Sequence, residues 1–152
     1  MKVFKIIFVL LISGLFNSVG AQDKPDDGIR YKVVENMPRF PGCEDLMVSD
    51  RKKEDCAKQK MLEFLYSNLV YPESAKENKV EGMVVLQFVV TSEGYLDDIK
   101  VVRDIGEGCG DAALDVIYKM NDMEERWIPG MQRGIPIKVL YTLPVRFRLN
   151  ND

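Results

Sequence analysis

Hydrophobic and polar residues alternate most strictly near the end of the chain. From Ile137 to Leu149 every odd position is apolar, and most even positions carry lysine, threonine or arginine. This alternation is typical of a long half-buried β-strand. Pro136 and Pro144 both stand at even positions, and proline gives a sheet no backbone donor. We therefore predict an edge strand whose odd residues hydrogen-bond to the sheet and whose even residues face its free side.

The most continuous apolar run lies in the middle of the chain. Residues 83–90 read MVVLQFVV, and a Ser-Glu-Gly sequence at residues 92–94 separates them from a second apolar stretch at residues 96–102. A strand with so few polar residues is expected at the centre of a sheet. The short polar sequence with a glycine predicts a tight turn. These residues are therefore predicted to form a hairpin.

Helical periodicity is found in the segment that begins near Asp50 and in the segment from residue 110, where apolar residues recur three and four positions apart. Those residues are Met61, Leu62, Phe64, Leu65 and Leu69 in the first segment and Ala113, Val116, Ile117 and Met120 in the second. A short helix is predicted from Pro72, because proline suits the first helical position. Residues 128–134, IPGMQRG, are predicted to be a loop.

The order of these elements is helix, helix, strand, strand, helix, strand. A hairpin followed by one helix returns the chain so that the last strand lies antiparallel to the first hairpin strand. The predicted fold is therefore α+β, with a small three-stranded antiparallel sheet of order 2-1-3 and helices packed on one face. The continuous run at residues 83–90 then forms the central strand, and the alternating strand forms an edge.

The start of the chain has the layout of a secretory signal peptide. Lys2 and Lys5 precede an apolar stretch, and small residues follow up to Ala21. The apolar stretch is about half of the roughly 20 residues that span a bilayer, so we expect cleavage after Ala21 and export. The alternative is an uncleaved anchor in the inner membrane. The expected organisation is a signal peptide at 1–21, an extension at 22–59 and a domain at 60–152.

Composition removes several classes of function. The formal charge is −3 and no basic stripe is present, which argues against a nucleic-acid partner. The chain has no histidine, and this removes Ser-His and Cys-His nucleophile pairs and the commonest general base. We therefore expect a protein that is not an enzyme and that needs no cofactor.

The three cysteines of an exported chain indicate one disulfide and one free thiol. We expect Cys43 to pair with Cys56 across a short charged loop, although sequence alone does not fix the connectivity. Cys109 precedes a predicted helix, where the helix dipole favours a thiolate. A partly buried free thiol is the more common role for such a residue. A small secreted enzyme that uses Cys109 is the least favoured alternative.

Two groups of carboxylates are candidates for acid–base chemistry or calcium binding. They are Asp97 with Asp98, and Asp111 and Asp115 with Glu124 and Glu125. Neither group has the spacing of a calcium loop, so a solvated surface is the expected role. We predict no metal site and no catalytic residues. The single tryptophan, Trp127, is expected in the core or anchoring a loop.

The even positions of the last strand are the strongest candidate site. Lys138, Leu140 and Thr142 would offer backbone groups on the free side of the edge, over a length that suits an added peptide strand. Two interpretations remain open for the prolines on this strand. They prevent aggregation of the edge, or they frame a short docking window.

These segments resemble the TonB C-terminal domain family. The resemblance covers roughly residues 60–149 and depends on the order of several marks, which are Tyr71-Pro72, Ala75, Glu81-Gly82, Gly94, Trp127, Pro129-Gly130 and the final strand. It implies a periplasmic domain of TonB-dependent transport that captures the TonB box of an outer-membrane receptor by strand addition.

Carried onto this sequence, the resemblance implies partner-binding residues Lys138, Leu140, Thr142, Arg146, Tyr71 and Pro72. An anchored form would also imply ExbB and ExbD as partners, and the exposed edge would allow a homodimer. TonB itself has a long proline-rich spacer and no Cys43–Cys56 segment. These differences favour a soluble docking domain over a complete energy transducer.

Overall fold

The computed structural model describes residues 30–149. The expected signal peptide and its cleavage site lie outside the described residues. The elements are α1 (Asp50–Asn68), α2 (Glu73–Glu77), β1 (Gly82–Val90), β2 (Leu96–Arg103), α3 (Cys109–Asn121), β3 (Gly130–Gln132), β4 (Ile135–Ile137) and β5 (Val139–Phe147). None of the helices in this part of the chain is long and apolar enough to cross a membrane.

The main sheet has the strand order β2-β1-β5, with both pairs antiparallel. This confirms the predicted α+β fold and the predicted order, in which β5 is the last strand and β1 lies at the centre. β1 and β5 pair in one unbroken register from Gly82 opposite Phe147 to Val90 opposite Val139. The register has no bulge, because both strands alternate between the core and the other face over their whole length.

The prediction of one long final strand was wrong at its start. The alternating segment divides at Lys138 into β4 and β5, and β4 pairs with β3 as a separate two-stranded sheet. The residues predicted to be a loop, 128–134, therefore contain β3 and the turn that follows it. The turn lies at Arg133 and Gly134, both of which have positive φ angles, of 50° and 74°.

Pro136 therefore lies in the small sheet and not on the edge of the main one. It stands opposite Met131, whose N–H donates to the Asn36 carbonyl oxygen at 2.9 Å and whose carbonyl accepts from the Asn36 N–H at 3.1 Å. The backbone of Met131 is thus turned away from β4. Because strand partners alternate in this way, Pro136 occupies a position where β3 requires no donor.

One hydrophobic core lies between the main sheet and the helices. The inward residues of β1 and β5 pack against the apolar faces of α1 and α3, and the fully buried members include Phe88, Phe147, Leu65, Leu86, Ile117 and Met120. Trp127 is 2% exposed, as expected from the sequence. Its ring lies edge-on to Phe88 at 5.6 Å and to Tyr141 at 5.4 Å.

Two glycines allow the loop before β3 to approach the sheet closely. Gly94, in the β1–β2 turn, has a φ of 81°, and a Cβ there would overlap the Trp127 carbonyl oxygen. The Trp127 N–H donates to the Gly94 carbonyl at 3.2 Å. At Gly130, a Cβ would overlap the Val139 side chain. These close contacts explain why both positions hold the smallest residue.

The residues that precede α1 are part of this core. The backbone of Arg39 exchanges two hydrogen bonds with Ile128, at 3.0 and 2.9 Å. Phe40 is buried between Phe64 and Trp127, with ring centroids 5.7 Å from each. The predicted Cys43–Cys56 disulfide is present and joins this segment to α1. Residues 36–43 therefore pack as part of the same folded unit as residues 60–149.

Replacing Phe40 with alanine tests this integration. We expect Phe40→Ala to lower the free energy of unfolding by about 3–5 kcal/mol, because it removes a buried aromatic ring and leaves a cavity. Urea denaturation with the disulfide intact measures the change. Val33→Ala is the control, since Val33 is 83% exposed and should change stability by less than about 0.5 kcal/mol. Equal stabilities of the two variants would show that the segment is not part of the core.

Candidate functional site

The free edge of β5 has the orientation that its sequence predicts. The Leu140 N–H donates to the Tyr31 carbonyl oxygen at 2.8 Å, and the Lys138 carbonyl accepts from the Tyr31 N–H at 3.1 Å. Tyr31 lies on the side of β5 away from β1, so the even residues of β5 direct their backbone groups outward. Pro144 is opposite Val85 and is also even. Its missing donor therefore falls on the free side and removes no bond from the sheet.

The same bonds show that part of this edge is occupied. Tyr31 pairs with Val139 as one residue of a parallel strand. The predicted site treated Lys138 and Leu140 as open, and the structure corrects this, because both already bond to Tyr31. Sequence reasoning missed Tyr31 as an edge partner. Its signal was the short extended apolar piece that begins YKVV at Tyr31.

The edge beyond Leu140 has a different character. Within residues 30–149, no backbone group bonds to Thr142, Pro144 or Arg146 on the free side. All three residues are exposed. The Thr142 hydroxyl accepts a hydrogen bond from the Gln87 side chain at 3.3 Å. This bond does not involve the backbone groups of Thr142. Two outward N–H groups, with a proline between them, therefore form a short unpaired stretch of strand.

The N-terminal segment also crosses the face of the sheet opposite the helices. Arg30 forms an ion pair with Asp98 on β2, although its neighbour Tyr31 is bonded to β5 at the opposite edge. The Arg30 side chain therefore lies across β1. Arg30, followed by Lys100, holds the pKa of Asp98 below its usual value. Val89, on this face of β1, is 3% exposed and lies outside the main core cluster.

Tyr71 and Pro72 have structural contacts of their own. The Tyr71 hydroxyl donates to the Val80 carbonyl oxygen at 2.5 Å, and its ring lies edge-on to Phe147 at 5.3 Å. Burial raises the pKa of Tyr71, with smaller contributions from Cys109 and Glu81. Pro72 is the N-cap of α2. Tyr71 therefore packs against the far end of β5, next to the last residues of the exposed edge.

The candidate carboxylates lie at the surface of the described part of the chain. No group of three or more Asp, Glu, Cys or His side chains in residues 30–149 is placed to hold a metal ion. Asp97, Asp111 and Asp115 are exposed, and Asp98 is engaged by Arg30. The arrangement fits the solvated surface that the spacing of these residues predicts.

Most of this domain matches a known protein family. Residues 67–149, which span the short helix, the three strands of the main sheet and the β3–β4 hairpin, match the family profile described as Gram-negative bacterial TonB protein C-terminal. The chain belongs to the TonB C-terminal domain family. Domains of this family act in TonB-dependent transport in the periplasm and interact with outer-membrane receptors.

Solved TonB C-terminal domains resemble the chain more loosely. Two solution structures from Helicobacter pylori share 23% and 24% identity, cover 70% and 62% of this chain and 88% and 96% of their own, and each has a TM-score of 0.48. One from Pseudomonas aeruginosa shares 28% identity, covers 55% of this chain and 80% of its own, and has a TM-score of 0.40. No curated protein matches the chain. The family assignment rests on the match over residues 67–149.

The free thiol of this TonB-type domain is buried. Cys109 begins α3 and is fully buried. Burial raises the pKa of the Cys109 thiol, and Asp104 and Glu107 raise it further. Burial disfavours the charged form and so opposes the thiolate that a helix dipole would favour; the free thiol, expected to be partly buried, is fully buried.

Alkylation of the native protein tests this assignment. We expect Cys109 to react with iodoacetamide at pH 8.5 at least about 100-fold more slowly than in urea, since both burial and a raised pKa suppress the thiolate. Mass spectrometry of the carbamidomethylated peptide measures the rate, and the disulfide protects the other two cysteines. Rapid labelling of the native protein below pH 7 would contradict the structure and would support a reactive thiol.

Proposed function

We propose that the chain is a periplasmic docking domain that binds the TonB box of an outer-membrane receptor by adding it as a strand to β5. The unpaired stretch from Thr142 to Arg146 is the observation that carries the proposal. Its outward backbone groups lack partners among the described residues, and exposed strand edges of this kind accept extended peptides. Membership of the TonB C-terminal domain family supports the same partner class.

The proposed site combines two parts of the edge. A peptide that begins at Thr142 extends along Pro144 and Arg146 and continues the edge where Tyr31 ends. A longer peptide displaces Tyr31 and also uses Lys138 and Leu140. Tyr71 contributes by supporting Phe147 at the end of the strand, since it packs on that ring, and Pro72 contributes by beginning α2 directly after Tyr71. The disulfide fits an exported location, where such bonds persist.

A second copy of this chain would use the same edge. Two β5 strands pairing edge to edge would cover the backbone groups of Thr142 and Arg146, so dimerisation and receptor binding would compete. Pro144 limits both, because it provides no N–H in the middle of the exposed stretch. Pro136 lies in the small sheet, so only Pro144 acts on this edge, where it restricts pairing to short segments.

Proline at Thr142 tests strand addition. Thr142→Pro removes one outward N–H and leaves the bonds to β1 intact, so we expect the affinity for receptor TonB-box peptides to fall about tenfold. This corresponds to one unsatisfied peptide carbonyl, at about 1–3 kcal/mol. Isothermal titration calorimetry with synthetic TonB-box peptides from the host's receptors measures the change.

Thr142→Val is the matched control for this experiment. It also loses the contact with Gln87 but keeps the N–H and a β-branched side chain, so its affinity should stay within about twofold of the original. Both variants should unfold within about 1 kcal/mol of each other, because an edge position tolerates proline on its free side. Equal affinities of the two variants, or failure of every peptide to bind the unchanged protein, would rule out strand addition at this edge.

A further inference from the structure

A cavity of about 440 Å³ lies between α1, β5 and the segment that precedes α1. Its volume falls within the range of roughly 300–1,000 Å³ that is usual for ligand pockets. Only three of its lining residues, from Leu140 to Thr142, belong to the region matched by the family. All the other lining residues precede residue 67, and they are Lys32, Met37, Pro38, Arg39, Phe40, Glu54, Ala57, Lys58 and Met61.

The cavity lies beside the edge of β5 and not over one face of the sheet. Leu140 and Thr142 belong to the face opposite the helices, whereas Tyr141 belongs to the helix face and stacks on Phe88. A space that contacts all three consecutive residues must adjoin the strand laterally, because neighbouring side chains point to opposite faces. A peptide strand paired with Thr142 would therefore run past the opening, with alternate side chains directed toward α1.

The walls are suited to a large apolar side chain. Phe40, Ala57 and Met61 are buried and form the inner part, while Met37 is 37% exposed. The Tyr141 hydroxyl lies 4.0 Å from the Met61 sulfur, so β5 and α1 meet at the inner end of the cavity. Methionine side chains are flexible and polarisable, and they adapt to guests of different shape.

The charges at the opening favour an acidic neighbour. Lys32 and Lys58 line the cavity and are both exposed, and neither has an ion-pair partner within residues 30–149. Arg39 is already paired with Glu44 at 2.8 Å. Glu54 is the one carboxylate on the lining itself. The opening therefore has an excess of positive charge, although the chain as a whole is acidic.

We propose that this cavity is a specificity pocket that binds one bulky apolar side chain of the peptide added to β5, with a carboxylate one or two residues away held by Lys58 and Lys32. The proposal rests on strand addition as the proposed function and adds the chemistry of the partner. Most of the pocket is built by the segment before residue 67, which lies outside the region matched by the family.

A small ligand tests the pocket without any peptide. The probe is 3-phenylpropanoate, which combines an aromatic ring with a carboxylate, and 3-phenylpropanamide is its neutral match. With the full chain, we expect the acid to shift the methyl NMR signals of Met37 and Met61 with a Kd on the order of 1–10 mM. The amide should bind about threefold or more weakly. Absence of a saturable shift at both methionines, or equal binding of acid and amide, would overturn the proposal.

Charge reversal on α1 provides the matched pair of variants. Lys58→Glu should weaken binding of the acid by about threefold to tenfold, because it replaces an attractive charge at the opening by a repulsive one. Lys52→Glu makes the same change of net charge on the same helix, at an exposed residue that does not line the cavity, and should leave the affinity unchanged. Equal effects of the two variants would mean that binding of the acid depends on the net charge of the protein and not on Lys58 at the opening, and this would overturn the pocket.

A variant that fills the pocket tests whether the bound peptide uses it. Ala57→Leu places extra atoms in the cavity and should weaken a bound TonB-box peptide about tenfold, while a peptide whose apolar residue is replaced by alanine should not respond. Unchanged affinity of the original peptide, with Thr142→Pro still disruptive, would overturn the pocket but leave strand addition standing. If no peptide binds the unchanged protein, strand addition is ruled out, and so is the proposal that a peptide side chain occupies the pocket.

Discussion

The pairing of β5 with β1 through the odd residues of β5 determines the rest of this structure. This register places Tyr141, Leu143, Val145 and Phe147 against the helices, and it turns the backbone of the even residues away from the sheet. A slip by one residue would expose the core side chains and would also direct Pro144 toward β1. The same constraint therefore defines both the hydrophobic core and the exposed edge.

The segment before α1 controls how much of that edge is available. Tyr31 occupies the backbone groups of Lys138 and Leu140, and Arg30 holds the segment across the sheet by its ion pair with Asp98. Farther along, Phe40 and the Cys43–Cys56 disulfide fix it to the core and to α1. A disulfide that closes a loop of this length stabilises a fold by about 3 kcal/mol. The TonB-type domain thus carries a rigid addition at one end of its proposed docking edge.

The elements of the fold could be predicted because their signals are local. Helical and alternating periodicities identified the main helices and strands, and the parity of Pro144 indicated the free side of β5. The division at Lys138 could not be predicted, since Ile135 and Ile137 continue the same alternation. In the structure, the chain turns back at Arg133 and Gly134, and Ile135–Ile137 pair with Gly130–Gln132 instead of joining the main sheet.

The candidate site was predicted only in part, for the same reason. Sequence pattern identified Thr142 and Arg146 as outward residues, but the occupation of Leu140 by Tyr31 is a tertiary contact between distant positions. The pocket beside the edge has no sequence signal, because its walls come from three separate segments. At Cys109, position at a helix start suggested a reactive thiol, and burial reversed the expected direction of its pKa.

Amide hydrogen exchange along β5, followed by NMR, distinguishes the residues that bond to β1 from those that face outward. We predict fast exchange at Thr142 and Arg146 and slow exchange at Leu143 and Val145 in the free protein, since only the odd residues donate to β1. A saturating receptor TonB-box peptide should protect Thr142 and Arg146. Equal protection of all four amides in the free protein, or no added protection when the peptide is bound, would contradict these predictions.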